Sequence, residues 1–388
     1  MEKQSRRPLW YLFLNKYSRL ALYQRPKSGT IAVFGFLIIV PVLVFSIGAY
    51  PLLNKEQFKG MKRRNVNSAM ECDDGPEKSM DVEHQERSNE CHRNLYDLDE
   101  FSLDSEIIDL NQCRVNFIPD FSRFKKLKEL CLRNNLLGSL NENIVIETLT
   151  QLDLYDNQIE VITGLDRLQN LEVLDLSYNR IRKIEGLSNL LNLKRIYLVH
   201  NKINEISGLE SLTKLEVLEL GDNRIKKLEN IGHLTYLREL YLGKNKLRKL
   251  ENLEDLRNLT LLSVPANRLT ELSGISMLTE LTELHISDQG IEYFTDLTHL
   301  KKLTIIDAAN NKIAKLDGLN HLDHLEDIWL NDNQISDWNE LAKLSNMPAL
   351  RTIYIERNPI YTKDPSTYRR KVMLCLPQVT QIDATFCR

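Results

Sequence analysis

The sequence predicts a leucine-rich-repeat solenoid, an α/β fold with short parallel strands lining its concave face. Three observations carry this. The unit L-x-x-L-x-L-x-x-N-x-I/L-x-x-I/L recurs every 22 residues, its starts run in unbroken register along two thirds of the chain, and an asparagine recurs at one fixed place in it. The starts are Leu127, Leu149, Leu171, Leu193, Leu215, Leu237, Leu259, Leu281, Leu303 and Leu325. A degenerate unit (Ile108, Leu110, Cys113, Val115, Ile118) precedes them. Another (Leu350, Ile353, Ile355, Asn358, Ile360) follows after three extra residues, which makes about twelve.

Each unit reads as one coil. The two leucines of L-x-L alternate inward on a short strand, and the residue between them faces out. The asparagine that follows turns the chain, and its amide can pair backbone groups that the turn leaves open. Gln289 takes that place in one unit and is expected to weaken the ladder there. The remaining residues leave space for a turn or 3₁₀ segment on the convex side, with no room for a long helix. A coil hides its leucines only under neighbours, so the ends need caps. Residues 368–383, with Val372, Leu374 and Leu376 ahead of Pro377, are expected to cover the last coil.

Four regions follow: 1–69, 70–106, repeats over 107–362, and a C-terminal cap over 363–388. Residues 30–53 carry no charge and are long enough to cross a hydrocarbon layer about 30 Å thick. Basic residues flank them on both sides, so topology stays open. Two readings of the segment stand: a membrane span, or a piece outside the working protein, with Met61, Met70 and Met80 as later starts. Residues 70–106 are acidic, polar and without period, the pattern of a disordered leader. Six cysteines, none in a C-x-x-C pair and none grouped as a disulfide cap, favour a reducing compartment.

The net charge of −3 gives no general attraction to nucleic acid. Arg180, Lys202, Arg224, Lys246, Arg268 and Lys312 line one flank, but acidic neighbours dilute them and the row reads as solvated. No phosphate-binding glycine loop, G-x-S-x-G or H-E-x-x-H occurs, so no enzyme, cofactor or metal is expected. His321 and His324 lack a third ligand nearby and read as surface histidines. The outward column offers a binding face instead: Cys131, Asp153, Asp175, Tyr197, Glu219, Tyr241, Ser263, His285, Asp307, Trp329 and Tyr354, with Glu239 and Asp327 beside it. Aromatic anchors next to carboxylates suit a protein partner with a basic surface.

The segments 130–137 (LCLRNNLL), 152–159 (LDLYDNQI), 218–225 (LELGDNRI), 240–247 (LYLGKNKL), 329–338 (WLNDNQISDW) and 354–360 (YIERNPI), with the tail 368–386, resemble the leucine-rich-repeat regulatory subunits of protein phosphatase 1. The resemblance spans about residues 107–388. It implies a nuclear and cytoplasmic monomer that joins a heteromeric complex. It further implies that Asp175, Tyr197, Glu219, Tyr241, Asp307, Asp327, Trp329 and Tyr354 grip the phosphatase catalytic subunit, controlling its activity, maturation or localisation; Asp153 joins this expected partner-binding set as a member of the outward column. Whether the effect is inhibitory is not implied. Residues 1–69 depart from the family pattern and bear on location alone; a membrane-anchored receptor, adhesion or scaffold protein is the alternative. Arg114-Val115-Asn116-Phe117 matches a short docking peptide for that phosphatase, yet Val115 falls on an inward repeat position.

Overall fold

A computed structural model describes residues 96–140 and 146–387. Residues 1–95, which include the hydrophobic segment 30–53 and most of the acidic leader, lie outside the described residues. Among the described residues no helix is long and apolar enough to cross a membrane.

Twelve strands of three residues each, β1 (Ile107–Asp109) through β12 (Thr352–Tyr354), pair in parallel in chain order. Adjacent strands match residue for residue across the 22-residue step, as Val217 with Glu239 and Glu219 with Tyr241. One coil shows the packing: Leu215, Leu218, Leu220, Ile225, Leu228, Ile231 and Leu234 are all fully buried. Burying each such side chain contributes about 1.5–3 kcal/mol, but only with coils above and below to exclude water.

Two turns close a typical coil among the described residues. The first puts the residue before the ladder asparagine in the left-handed region, with φ from 52 to 58° between Asn134 and Arg357. Asparagine and aspartate take this conformation readily; Tyr178 and His200 hold it against steric cost. The second turn, on the convex side, uses Gly186 and Gly208, where an added Cβ would lie 2.3 and 2.2 Å from the carbonyl oxygens of Ile162 and Ile184. Asn230 and Asn252 fill the same place in later coils, and their amides bond the carbonyls of Ile206 and Leu228 at 2.8 and 2.7 Å.

The asparagine ladder is continuous. Asn223 accepts from the Ile203 N–H at 3.0 Å and donates to the carbonyls of Leu198, Leu220 and Gly221. Gln289 does not break it. Its longer side chain still accepts from the Leu269 N–H at 3.0 Å and donates to the Val264 carbonyl. What it lacks is the bond within its own coil, made elsewhere by the shorter amide.

The convex side is turns, as the spacing requires, with one exception. The unit with three extra residues forms a helix, α1 (Trp338–Ala342), capped by Asp337, which accepts from the Asn339 N–H. At the amino end, residues 96–106 are ordered, although composition reads them as part of a disordered leader. Asp97 caps a 3₁₀ turn over Leu98–Glu100, and Tyr96, Leu98 and Phe101 pack against the first coil. Their apolar side chains find a surface that composition alone does not reveal.

At the carboxyl end α2 (Pro359–Thr362) leads into α3 (Pro365–Cys375), and β13 (Gln381–Ile382) adds to β12 before β14 (Thr385–Phe386) folds back antiparallel. Val372 and Leu376 face the core, whereas Leu374 is 74% exposed. The expected apolar triplet thus divides by helical period, since positions four apart share a face and the one between them does not.

Candidate protein-binding face

The concave column stands where the sequence places it. The pairs Asp153–Asp175, Asp175–Tyr197, Tyr197–Glu219, Asp307–Trp329 and Trp329–Tyr354 are each register partners on adjacent strands, and Asp327 lies beside the column on the strand of Trp329. At a strand spacing of about 4.8 Å their side chains pack flank to flank. The result is less exposed than the alternation suggests: Glu219 keeps 1% of its surface, between Tyr197 and Tyr241, and Asp307 keeps 9%. Expecting every member to project freely is therefore corrected for these two, and for Ser263 and His285, which are buried as well. Short acids between bulky neighbours are covered by them.

Backbone geometry orients the aspartates. Asp153, Asp175 and Asp307 each accept with one oxygen from the N–H two residues on, that of Tyr155, Ser177 and Ala309. The other oxygen of Asp153 pairs with Arg133 at 3.1 Å, and that of Asp307 accepts from Ser287 at 2.9 Å. Burial and then the adjacent Asp175 charge push the Asp153 carboxyl up to about 7, against the lowering pull of Arg133. Burial also raises Asp175, and raises Asp307 against the lowering pull of His285. An arriving cation favours the ionised form of these carboxyls.

At the carboxyl end the Trp329 and Tyr354 rings meet nearly edge to face, centroids 6.1 Å apart. His285 lies 6.3 Å from the Trp329 ring, with its ring nitrogens 3.5 Å from Glu283 and 4.0 Å from Asp307. Gln381 of β13 donates to the Tyr354 hydroxyl at 3.0 Å, so the cap helps to hold an anchor. Tyr241 donates to Glu239 at 2.9 Å.

Sequence reasoning missed a second feature on the rim, where the strands end. The Arg133 guanidinium lies 4.2 Å from the Tyr155 ring centroid; Tyr155 and Tyr178 follow at 4.9 Å, then Tyr178 and His200 at 4.7 Å. His200 closes the stack on Asp222 at 2.7 Å. These residues occupy turn positions, where residue type varies from unit to unit. Reading those positions down the array, coil by coil, would have revealed them.

Other motifs resolve into structure. Val115 is fully buried and its N–H bonds the ladder oxygen of Asn135, so residues 114–117 do not present an extended docking peptide. His321 bonds the Leu297 carbonyl at 2.9 Å, and no group of side chains suited to a metal occurs among the described residues.

Comparison with known proteins agrees with the geometry. The family model for leucine-rich repeats (two copies) matches residues 147–189, 191–233, 213–258 and 301–343. A protein phosphatase 1 regulatory subunit SDS22 homolog of Caenorhabditis elegans is 50% identical over 75 residues, 19% of this chain and 23% of that protein. Protein phosphatase 1 regulatory subunit 7 of Danio rerio is 61% identical over 46 residues, covering 12% and 13%. Protein phosphatase 1 regulatory subunit SDS22 of Schizosaccharomyces pombe is 54% identical over 43 residues, covering 11% and 13%. The matched segments thus span less than a quarter of these relatives. Among solved structures, an internalin of Listeria monocytogenes superposes with TM-score 0.58 at 22% identity, over 73% of this chain and 87% of that one. A leucine-rich-repeat protein of Leptospira interrogans gives 0.57 at 26%, over 69% and 75%. The fold is a leucine-rich-repeat solenoid, and the chain resembles protein phosphatase 1 regulatory subunits.

Proposed function

We propose that this leucine-rich-repeat protein is a regulatory subunit that binds the catalytic subunit of protein phosphatase 1 through its concave face. It acts by binding and performs no chemistry of its own. The observation that carries the reading is the Trp329–Tyr354 pair, two half-buried aromatic rings on a concave sheet, with Asp307 the register partner of Trp329 and Asp327 two residues before Trp329 on its own strand. The regulatory subunits it resembles give the partner.

In this reading the aromatic pair anchors the partner, because large side chains already held by neighbours lose little freedom on binding. Asp153, Asp175 and Asp327 select basic side chains across the interface, with Tyr197 and Tyr241 among them, while Asp307 is covered beside Trp329. Glu219, covered by its neighbours, keeps the tyrosines apart and acts through them. Covering the catalytic subunit in this way governs its activity, maturation or localisation. A nuclear and cytoplasmic location goes with the partner, and the four described cysteines are free thiols, as suits a reducing compartment.

The test is the affinity of the full chain for the purified phosphatase 1 catalytic subunit, measured beside the double variant Trp329→Ala, Tyr354→Ala. Binding by the unaltered chain and its loss in the variant is the expected result. No binding by the unaltered chain overturns the partner; equal binding by both overturns the face.

A further inference from the structure

The register that stacks leucines also stacks cations. Arg180, Lys202, Arg224, Lys246 and Arg268 each follow the ladder asparagine in five successive coils. Each donates its backbone N–H at 2.8 Å to a carbonyl of the coil before, Arg180 to Ile159 and Arg268 to Leu247 at the two ends. This locks the side chains above one another at the coil spacing of about 4.8 Å. Two residues further on, Arg182, Lys226 and Arg248 form a second row. The intervening Ile181, Ile225 and Leu247 are fully buried, so both rows emerge on one flank.

Among the described residues none of these eight cations makes an ion pair. Elsewhere the same 22-residue step sets cation against carboxylate: Lys128 with Glu106, Lys194 with Glu172, Lys302 with Glu280. The fold thus accommodates alternating charge easily, yet this flank aligns like charges, which repel. The acidic neighbours that dilute the row in the linear sequence do not neutralise it in space.

We infer that this flank docks an extended acidic segment of a partner protein. Five coils span four steps of about 4.8 Å, the length of roughly six extended residues. Glu205 and Glu271 follow the rows by sequence, and the flexible side chains of an extended protein segment can turn carboxylates toward the cations and away from these two. Nucleic-acid bases would need open aromatic faces. The nearest rings, Tyr155, Tyr178 and His200, are stacked on each other. A membrane surface would favour apolar side chains among the cations, and none of the exposed large apolar residues stands among these eight, Leu136 at the first-row position lying two coils before Arg180. The flank is separate from the concave column, so both can be occupied together.

The experiment is fluorescence anisotropy of labelled deca-glutamate titrated with the full chain, beside Arg180→Glu, Lys202→Glu, Arg224→Glu combined and beside Trp329→Ala. Expected are saturable binding, a loss of tenfold or more in the charge-reversed variant, and no change in Trp329→Ala. The neutral set Arg180→Gln, Lys202→Gln, Arg224→Gln should melt at or above the unaltered chain at low salt, because it relieves repulsion. No binding, or binding retained after charge reversal, overturns the proposal. Tighter binding of a single-stranded oligonucleotide or of phosphatidylserine vesicles replaces the acidic segment with that ligand.

Discussion

Trp329 and Tyr354 stand on adjacent strands as register partners, their ring planes 85° apart. The arrangement presents the edge of one ring to the face of the other, so neither side chain must rearrange to meet a partner. Replacing either by alanine should weaken phosphatase binding by about 2 kcal/mol or more, near thirtyfold in dissociation constant. Far-ultraviolet circular dichroism should remain unchanged, since the side chains lie above a leucine core that they do not build. Calorimetric titration of each variant reads this directly. Full affinity in both would place the anchor elsewhere.

Asp153 and Asp175 give a pH dependence whose direction is fixed. The Asp153 carboxyl is raised to about 7 in the folded chain, above an ordinary carboxylate near 4. The folded state therefore holds its proton more tightly than the unfolded state. Its contribution is neutral below about pH 4, becomes progressively destabilising as pH rises to about 7, and levels off above. Denaturant midpoints of Asp153→Asn should fall less than those of the unaltered chain between pH 5 and 8. A basic partner reverses the sense for binding, because it stabilises the ionised form; affinity should rise over the same interval. A flat affinity profile, unchanged in Asp153→Asn, would exclude these carboxyls from the interface.

The ladder makes a prediction that separates two residues of similar chemistry. Asn223→Ala leaves the buried Ile203 N–H without its acceptor, while the carbonyls of Leu198, Leu220 and Gly221 each keep a second donor in Asn201, Asn245 and the His200 N–H. One such orphan costs about 1–3 kcal/mol, so a loss of about 2 kcal/mol is expected. Gln289→Asn should stabilise by about 1 kcal/mol, because the shorter amide regains the bond within its own coil. Urea denaturation of the two variants measures both signs.

The fold was legible because one spacing governs burial, turn and strand alike: Leu218 and Leu240 are equivalent in sequence and become neighbours in space. The column of the candidate site was legible for the same reason, since a residue between two inward leucines has one direction to take. Depth within the column was not. Glu219 and Asp175 hold equivalent positions, and only the bulk of the neighbours decides which is covered. The rim stack from Arg133 to His200 was hidden differently. Its members occupy two turn positions and meet only across coils, with Tyr178 and His200 held at positive φ. Order at residues 96–106 escaped composition because Tyr96, Leu98 and Phe101 are three apolar side chains in an acidic stretch, and the surface they cover belongs to another part of the chain.

The carboxyl-terminal cap rests on Asp383, which takes over the ladder's task where no further asparagine exists. One oxygen accepts from the N–H groups of Ile355 and Glu356 at 2.9 and 3.1 Å, and the other from the Tyr368 hydroxyl at 3.0 Å. It thereby ties the last coil to α3. Asp383→Ala leaves both backbone donors and a buried hydroxyl unpaired, a cost of about 2–4 kcal/mol. Asp383→Asn keeps the acceptor toward the backbone, and the Tyr368 hydroxyl can turn to accept from the new amide, so most of the stability should return. Limited proteolysis should release the segment beyond residue 363 from the alanine variant well before the asparagine variant. Because Gln381 beside it holds the Tyr354 hydroxyl, the alanine change should also weaken phosphatase binding although Asp383 lies outside the proposed face. Equal proteolysis of the two variants would mean that the apolar contacts of Val372 and Leu376 hold the cap without this carboxylate.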